Sequence, residues 1–223
     1  IAQNDYSLLP AQYVDFIGIN RFLGGQYEWI NLNDIAEVLG GTRLPRQEGK
    51  KIKQQMIQGR DLSNPRISLD DLSEFDVPKD ISNPVRTEIG DILIQRIGQR
   101  PSTHLVNQQI ADVLVRDTVY VVRLRDRNLS LARYVSEFLK SEIGQGLLSK
   151  TLSGGGVPTM RLRGLRHLQI PMPNKDVISL VDQIYGVERT LIKRIDLVDN
   201  MKQQLFSIDD PKQMEQQLRD LNT

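Results

Sequence analysis

The chain has 223 residues and a formal net charge of +1, with 29 Lys and Arg against 28 Asp and Glu. That balance excludes a globally basic binder, so any anion site has to come from uneven placement of charge. The absence of cysteine excludes disulfides, thiolate catalysis and Cys-ligated zinc, and suits a cytoplasmic protein.

The length allows one sizeable core, or a core plus a helical appendage. No apolar run approaches the roughly 18–20 residues that span a bilayer, so no membrane association is expected. The start at Ile1 without Met reads as a fragment. The two histidines, His104 and His167, have no ligand-spaced partner, so no metal site is expected.

Residues 1–25 end in Gly24-Gly25, with a short helical piece expected from Pro10 to Phe16. A strand is expected at Trp29-Ile30, followed by Leu32, Ile35 and Val38 and a break at Gly40-Gly41. Lys53 to Ile57 reads as a strand, and Gly59 to Asn64 as a turn. After a Gly90-Asp91 turn, alternation at Ile92, Ile94 and Arg96 predicts a half-buried strand that delivers Arg96, Gln99 and Arg100 to a loop closed by Pro101. The β-branched and aromatic run Val119 to Val122 is the clearest strand.

From Ser130 the period becomes helical, through Leu131, Tyr134, Val135, Phe138, Leu139 and Ile143. Asn128 or Ser130 is the expected N-cap and Gly144 the stop. After Pro171-Met172-Pro173 a helix of about thirty residues, from about Asp176 to Phe206, would be about 45 Å long. Its expected seam is Val177, Val181, Ile184, Leu191, Ile195, Val198 and Leu205, interrupted by Glu188 and Lys202.

Charge is segregated along the chain. Between Gly41 and Arg60 six cations face only Glu48, and from Ile143 to Lys175 there is no acid at all. The acids gather instead at Asp70, Asp71, Glu74, Asp76 and Asp80. Such placement gives a nearly neutral chain a basic face suited to phosphate; a solvated basic surface is the alternative. Gly154-Gly155-Gly156 lacks the signature of a phosphate loop. It permits close approach to a nucleic-acid backbone, and equally a plain flexible connection. The nucleophile-elbow and zinc-hydrolase signatures and the flipped-adenine tetrapeptide are missing, which points to binding over catalysis.

The order of these features resembles the target-recognition domain of type I restriction-modification specificity subunits. The resemblance rests on Trp29, Leu32, Ile35 and Gly41-Thr42, then on Gly90-Asp91-Ile92-Leu93 with Arg96 and Gly98. It continues through Phe138-Leu139, Gly154 to Gly156, and Leu168 to Pro173. Two departures are the lack of a Glu-Gln pair after the Pro-x-Pro turn, where Asp176 follows, and one unit in place of a tandem two. Asn4 to Val14 is similar to the closing segment of N6-adenine methyltransferase subunits. That similarity implies, as an alternative to a separate specificity subunit, the C-terminal recognition half of a fused N6-adenine DNA methyltransferase.

The resemblance implies an α+β fold: a β-rich mixed recognition domain over 26–173, a long coiled-coil-type helix over 174–208, and a polar tail over 209–223. It implies double-stranded DNA as ligand, a DNA methyltransferase subunit or domain as partner, and S-adenosylmethionine bound there, with no cofactor in this chain. The helix could also pair two copies. Arg43, Arg46, Lys50, Lys51, Arg96, Gln99, Arg100, Lys150, Ser153 and Arg161 are the residues expected to meet DNA. The cations are expected on one continuous face, with Arg96, Gln99 and Arg100 nearest the base edges. The competing reading is a coiled-coil scaffold without nucleic-acid binding.

Overall fold

The structure is a computed structural model that describes residues 27–45 and 50–204. The expectations for residues 1–25, for Arg46, for the helix beyond residue 204 and for the 209–223 tail lie outside the described residues. The fold is α+β, and the chain divides into two units, residues 1–174 and 175–223.

The first unit is built on a four-stranded antiparallel sheet of order β2-β8-β5-β6. Its strands are β2 (Ala36–Gly40), β5 (Ile92–Gln95), β6 (Thr103–Leu105) and β8 (Val119–Leu124). β8 sits centrally because its β-branched run suits burial on both faces; Val119, Val121 and Val122 are fully buried. β5 departs from the expected alternation, since Ile92, Leu93 and Ile94 are all buried. Ladders on both sides and cover on both faces leave this strand no solvent side.

A second sheet has the order β4-β3-β7, from β3 (Lys51–Ile57), β4 (Glu74–Pro78) and β7 (Leu114–Val115). Ile57, Leu93, Val106, Ile110, Val115 and Val121 join the two sheets in one core cluster. Antiparallel pairing puts Lys53 opposite Asp76, and Lys53 Nζ lies 3.9 Å from Glu74. The cations of β3 and the acids of β4, distant in sequence, are therefore neighbours, which corrects the expected segregation of charge at this edge.

β1 (Trp29–Asn31) is followed at once by a four-residue helix, α1 (Leu32–Ile35). α2 (Leu129–Lys140) starts where Asn128 accepts from the Leu131 amide, as the cap pattern requires. It stops at Ser141, whose hydroxyl in turn caps α3 (Glu142–Lys150) by accepting from the Gly144 amide. Gly144 is thus no stop but the close contact between consecutive helices: a Cβ there would lie 2.0 Å from the Phe138 carbonyl oxygen.

Further along, β9 (Leu152–Ser153) and β10 (Thr159–Met160) form a hairpin, and α4 (Leu162–Arg166) leads to β11 (Gln169–Pro171). β11 pairs with β1, Trp29 opposite Pro171. Trp29 is half-buried, edge-on to Phe138 at 6.3 Å, and Phe138 stacks on Tyr134. The Tyr134 hydroxyl donates to the Pro171 carbonyl at 2.9 Å, and burial raises its pKa to about 12. Trp29 therefore serves packing, as its spacing from Leu32 and Ile35 suggests.

His104, on β6, is half-buried; burial first, then the neighbouring Lys140 charge, lowers its pKa from 6.5 to about 4. Between those two values the unfolded chain binds a proton that the folded chain refuses, so stability is present above pH 6.5 and is lost as pH falls toward 4. The loss should be about 2 kcal/mol, allowing for water that reaches the ring. Urea unfolding at about pH 7.5 and about pH 4.5 checks it: His104→Gln should lose less stability than wild type over this interval, and equal losses would count against the assignment.

In the second unit α5 (Lys175–Gln204) is one continuous helix. Along it Val177, Val181 and Val198 are half-buried, Ile195 is exposed and Met201 is buried. Val187, beside Glu188, is 60% exposed. Leu180, Ile184 and Leu191 are also exposed.

Candidate nucleic-acid interface

The turn Arg116–Asp117–Thr118, between β7 and β8, gathers three other segments. Thr42 donates its amide to Val115 and accepts from the Asp117 amide, which seats Gly41 to Arg43 against the turn. Gly41 is needed there, because a Cβ would fall 1.9 Å from the Arg116 carbonyl oxygen. The Gly59 amide donates to Thr118 Oγ1 at 3.0 Å, and the Arg96 amide donates to the Thr118 carbonyl at 2.9 Å.

Arg43 is exposed beside this turn, whereas Arg96 is half-buried. The Arg96 guanidinium donates to the Asp117 carbonyl at 3.1 Å and lies over the Tyr120 ring, 5.6 Å from its centroid. A cation held this way braces the loop that follows. Its anchored guanidinium argues against the expected place nearest the base edges, and Gln99 and Arg100 are the exposed polar side chains of that loop.

The β9–β10 hairpin lies against the same loop. Met160 donates its amide to the Arg96 carbonyl at 2.8 Å, Gly98 donates to the Pro158 carbonyl at 3.0 Å, and Ile97 bridges Thr159. Gly98 and Gly154 both have positive φ, 137° and 112°, which favours glycine at each turn. The Tyr120 hydroxyl fixes the hairpin base by donating to the Met160 carbonyl. Across the hairpin, Arg161 Nε donates to Ser153 Oγ at 2.9 Å. Lys150 is exposed at the last turn of α3, one residue before the hairpin.

Hydrogen bonds thus join the segments carrying Arg43, Arg96, Gln99, Arg100, Ser153 and Arg161. Lys50 and Lys51 are exposed at the opposite end of β3 from the turn, about 20 Å along the strand at its usual rise. Lys50 and Lys51 therefore stand apart from the segments that carry Arg43, Arg96, Arg100 and Arg161. Sequence reasoning missed Val157, which is 70% exposed at the hairpin tip. A lone valine after glycines carries no signal of its own.

No family model and no curated relative matches the chain. Among solved structures it is similar to the S subunit of a type I restriction-modification system from M. genitalium. That likeness has a TM-score of 0.50 at 15% identity, covering 90% of this chain and 52% of the other. It is also similar to the HsdS subunit from Thermoanaerobacter tengcongensis, with a TM-score of 0.47 at 16% identity, covering 86% of this chain and 45% of the other. The chain spans about half the length of these subunits. The strands, the Gly-rich hairpin and the long terminal helix together make this the fold of a type I S subunit, over about half of that subunit's length.

Proposed function

We propose that the chain is a target-recognition unit that binds double-stranded DNA in a sequence-specific manner. The observation that carries this reading is the union of two exposed loops, 97–100 and 154–157, on one hydrogen-bonded base with Arg43, Arg100 and Arg161 at its margins. Cations at the margins fix register on phosphates, and the loops between them read base edges. The run from Ile143 to Lys175, which includes the hairpin, carries no acid of its own to repel phosphate.

In this reading the unit directs adenine-N6 methylation, restriction, or both, through a modification subunit or a fused methyltransferase domain in the cytoplasm. S-adenosylmethionine is bound by that catalytic partner. The heptad stretch of α5, exposed at Leu180, Ile184, Val187 and Leu191, is the contact for the methyltransferase or for a second copy of this helix. The same heptad supports the rival scaffold reading, in which the helix alone is the function. Among the described residues no helix is long and apolar enough to cross a membrane.

Duplex binding measured against salt separates the two readings. About four phosphate contacts give a log–log slope of about −4, a loss of about 10²-fold in affinity between ~50 and ~200 mM salt. Failure to bind any duplex at ~50 mM salt, or binding indifferent to salt, would favour the scaffold.

A further inference from the structure

The tip of the β9–β10 hairpin carries two features that the fold leaves unexplained. Val157 is 70% exposed, and Ile97, on the segment bridged to this hairpin, is 39% exposed. A Cβ added at Gly155 or Gly156 would meet nothing within 4 Å, and neither residue has a positive φ. Packing inside the unit thus requires glycine at neither position. What they provide is a bare backbone on the outside, directly before an exposed apolar side chain. The flanks carry Arg161 and Arg100, both exposed, and no acid stands between Ile143 and Lys175.

An apolar tip with cationic flanks suits a partner that is anionic at its edges and locally apolar within. Duplex DNA is such a partner: in the major groove the thymine 5-methyl is the apolar group presented among polar base edges. A β-branched valine is short and stiff, so it can touch a methyl group without entering the base stack. We propose that Val157 is a specificity-determining residue that contacts a thymine 5-methyl in the major groove, with Gly155 and Gly156 letting the hairpin backbone close on the DNA. This rests on the reading of the chain as a duplex-DNA-binding unit.

The test uses duplexes recovered by the full chain from a randomised thymine-containing library, and the same duplexes rebuilt with deoxyuridine in place of thymine. Removing one contacted methyl should weaken wild-type binding about four-fold. Val157→Ser should bind the two forms about equally, and Val157→Ile should keep the preference. Gly156→Ala, which the fold tolerates, should weaken binding to both forms. A wild-type chain indifferent to the methyl, or a Val157→Ser chain with the wild-type preference, would overturn the role of Val157 while leaving DNA recognition intact. A chain that binds no duplex at ~50 mM salt would overturn both.

Discussion

Asp91→Ala is expected to destabilise the first unit by about 3 kcal/mol, the cost of taking the buried partner from Arg123, which keeps the half-exposed Glu88. Asp91 is 1% exposed and takes a forked pair from Arg123, Nε to Oδ1 at 2.8 Å and Nη2 to Oδ2 at 2.6 Å. The same carboxylate accepts the Glu88 amide at 2.7 Å, which shapes the turn ahead of β5. Glu88 then pairs with both Arg123 and Arg127. Hydrogen bonding to Asp91 is the main reason that the Arg123 pKa is raised further. Urea unfolding of the variant would show the loss. Replacing both partners, Asp91→Leu with Arg123→Met, should recover much of it, because the desolvation cost disappears with the charges. A single variant as stable as wild type would remove the pair from any account of this fold.

Gly41→Ala is the second large effect. The Cβ would be 1.9 Å from the Arg116 carbonyl oxygen and 2.9 Å from that of Val119, so backbone has to move, not a flexible side chain. A cost of about 3 kcal/mol or more is expected from such overpacking. The displaced turn also holds Arg96, and through it the 97–100 loop, so duplex affinity should fall even below the unfolding temperature. Asp91→Ala, far from the loops in its bonding, should leave affinity nearly unchanged while the chain stays folded. Unfolding midpoints and duplex titrations on the two variants would reveal this contrast, and a Gly41→Ala chain with a wild-type midpoint would contradict the steric argument.

The elements that were legible in the sequence are those whose causes are local. The β-branched run Val119 to Val122 makes β8 whatever surrounds it, and Asn128 caps α2 with its own side chain. The Pro-x-Pro turn likewise announces the start of the long helix, although β1 and Tyr134 hold Pro171 from a distance. The misses are contacts that no local pattern announces. Gly144 has the look of a stop, yet it is glycine because Phe138 leaves no room for a Cβ. Arg96 looks free in a run of polar residues, and only its closeness to Asp117 and Tyr120 reveals an anchored guanidinium. The pairing of Arg123 with Asp91 spans 32 residues and leaves no local pattern. Lys51 and Lys53 count as a basic cluster until β4 brings Asp76 and Glu74 beside them.

The pairing of β1 with β11 has a consequence for how such a unit can be inherited. Trp29 faces Pro171, and Met172 donates its amide to the Glu28 carbonyl at 2.8 Å. The polypeptide thus arrives and departs through one gate, its two strands about 5 Å apart. A module closed at a single gate can be spliced into a foreign chain, or replaced by a sibling with different loops, with little strain on its host. The entropy of holding its ends together is already met by the β1–β11 ladder and the Tyr134 clasp on Pro171. Exchange of the whole unit then leaves the geometry of the flanking chain unchanged.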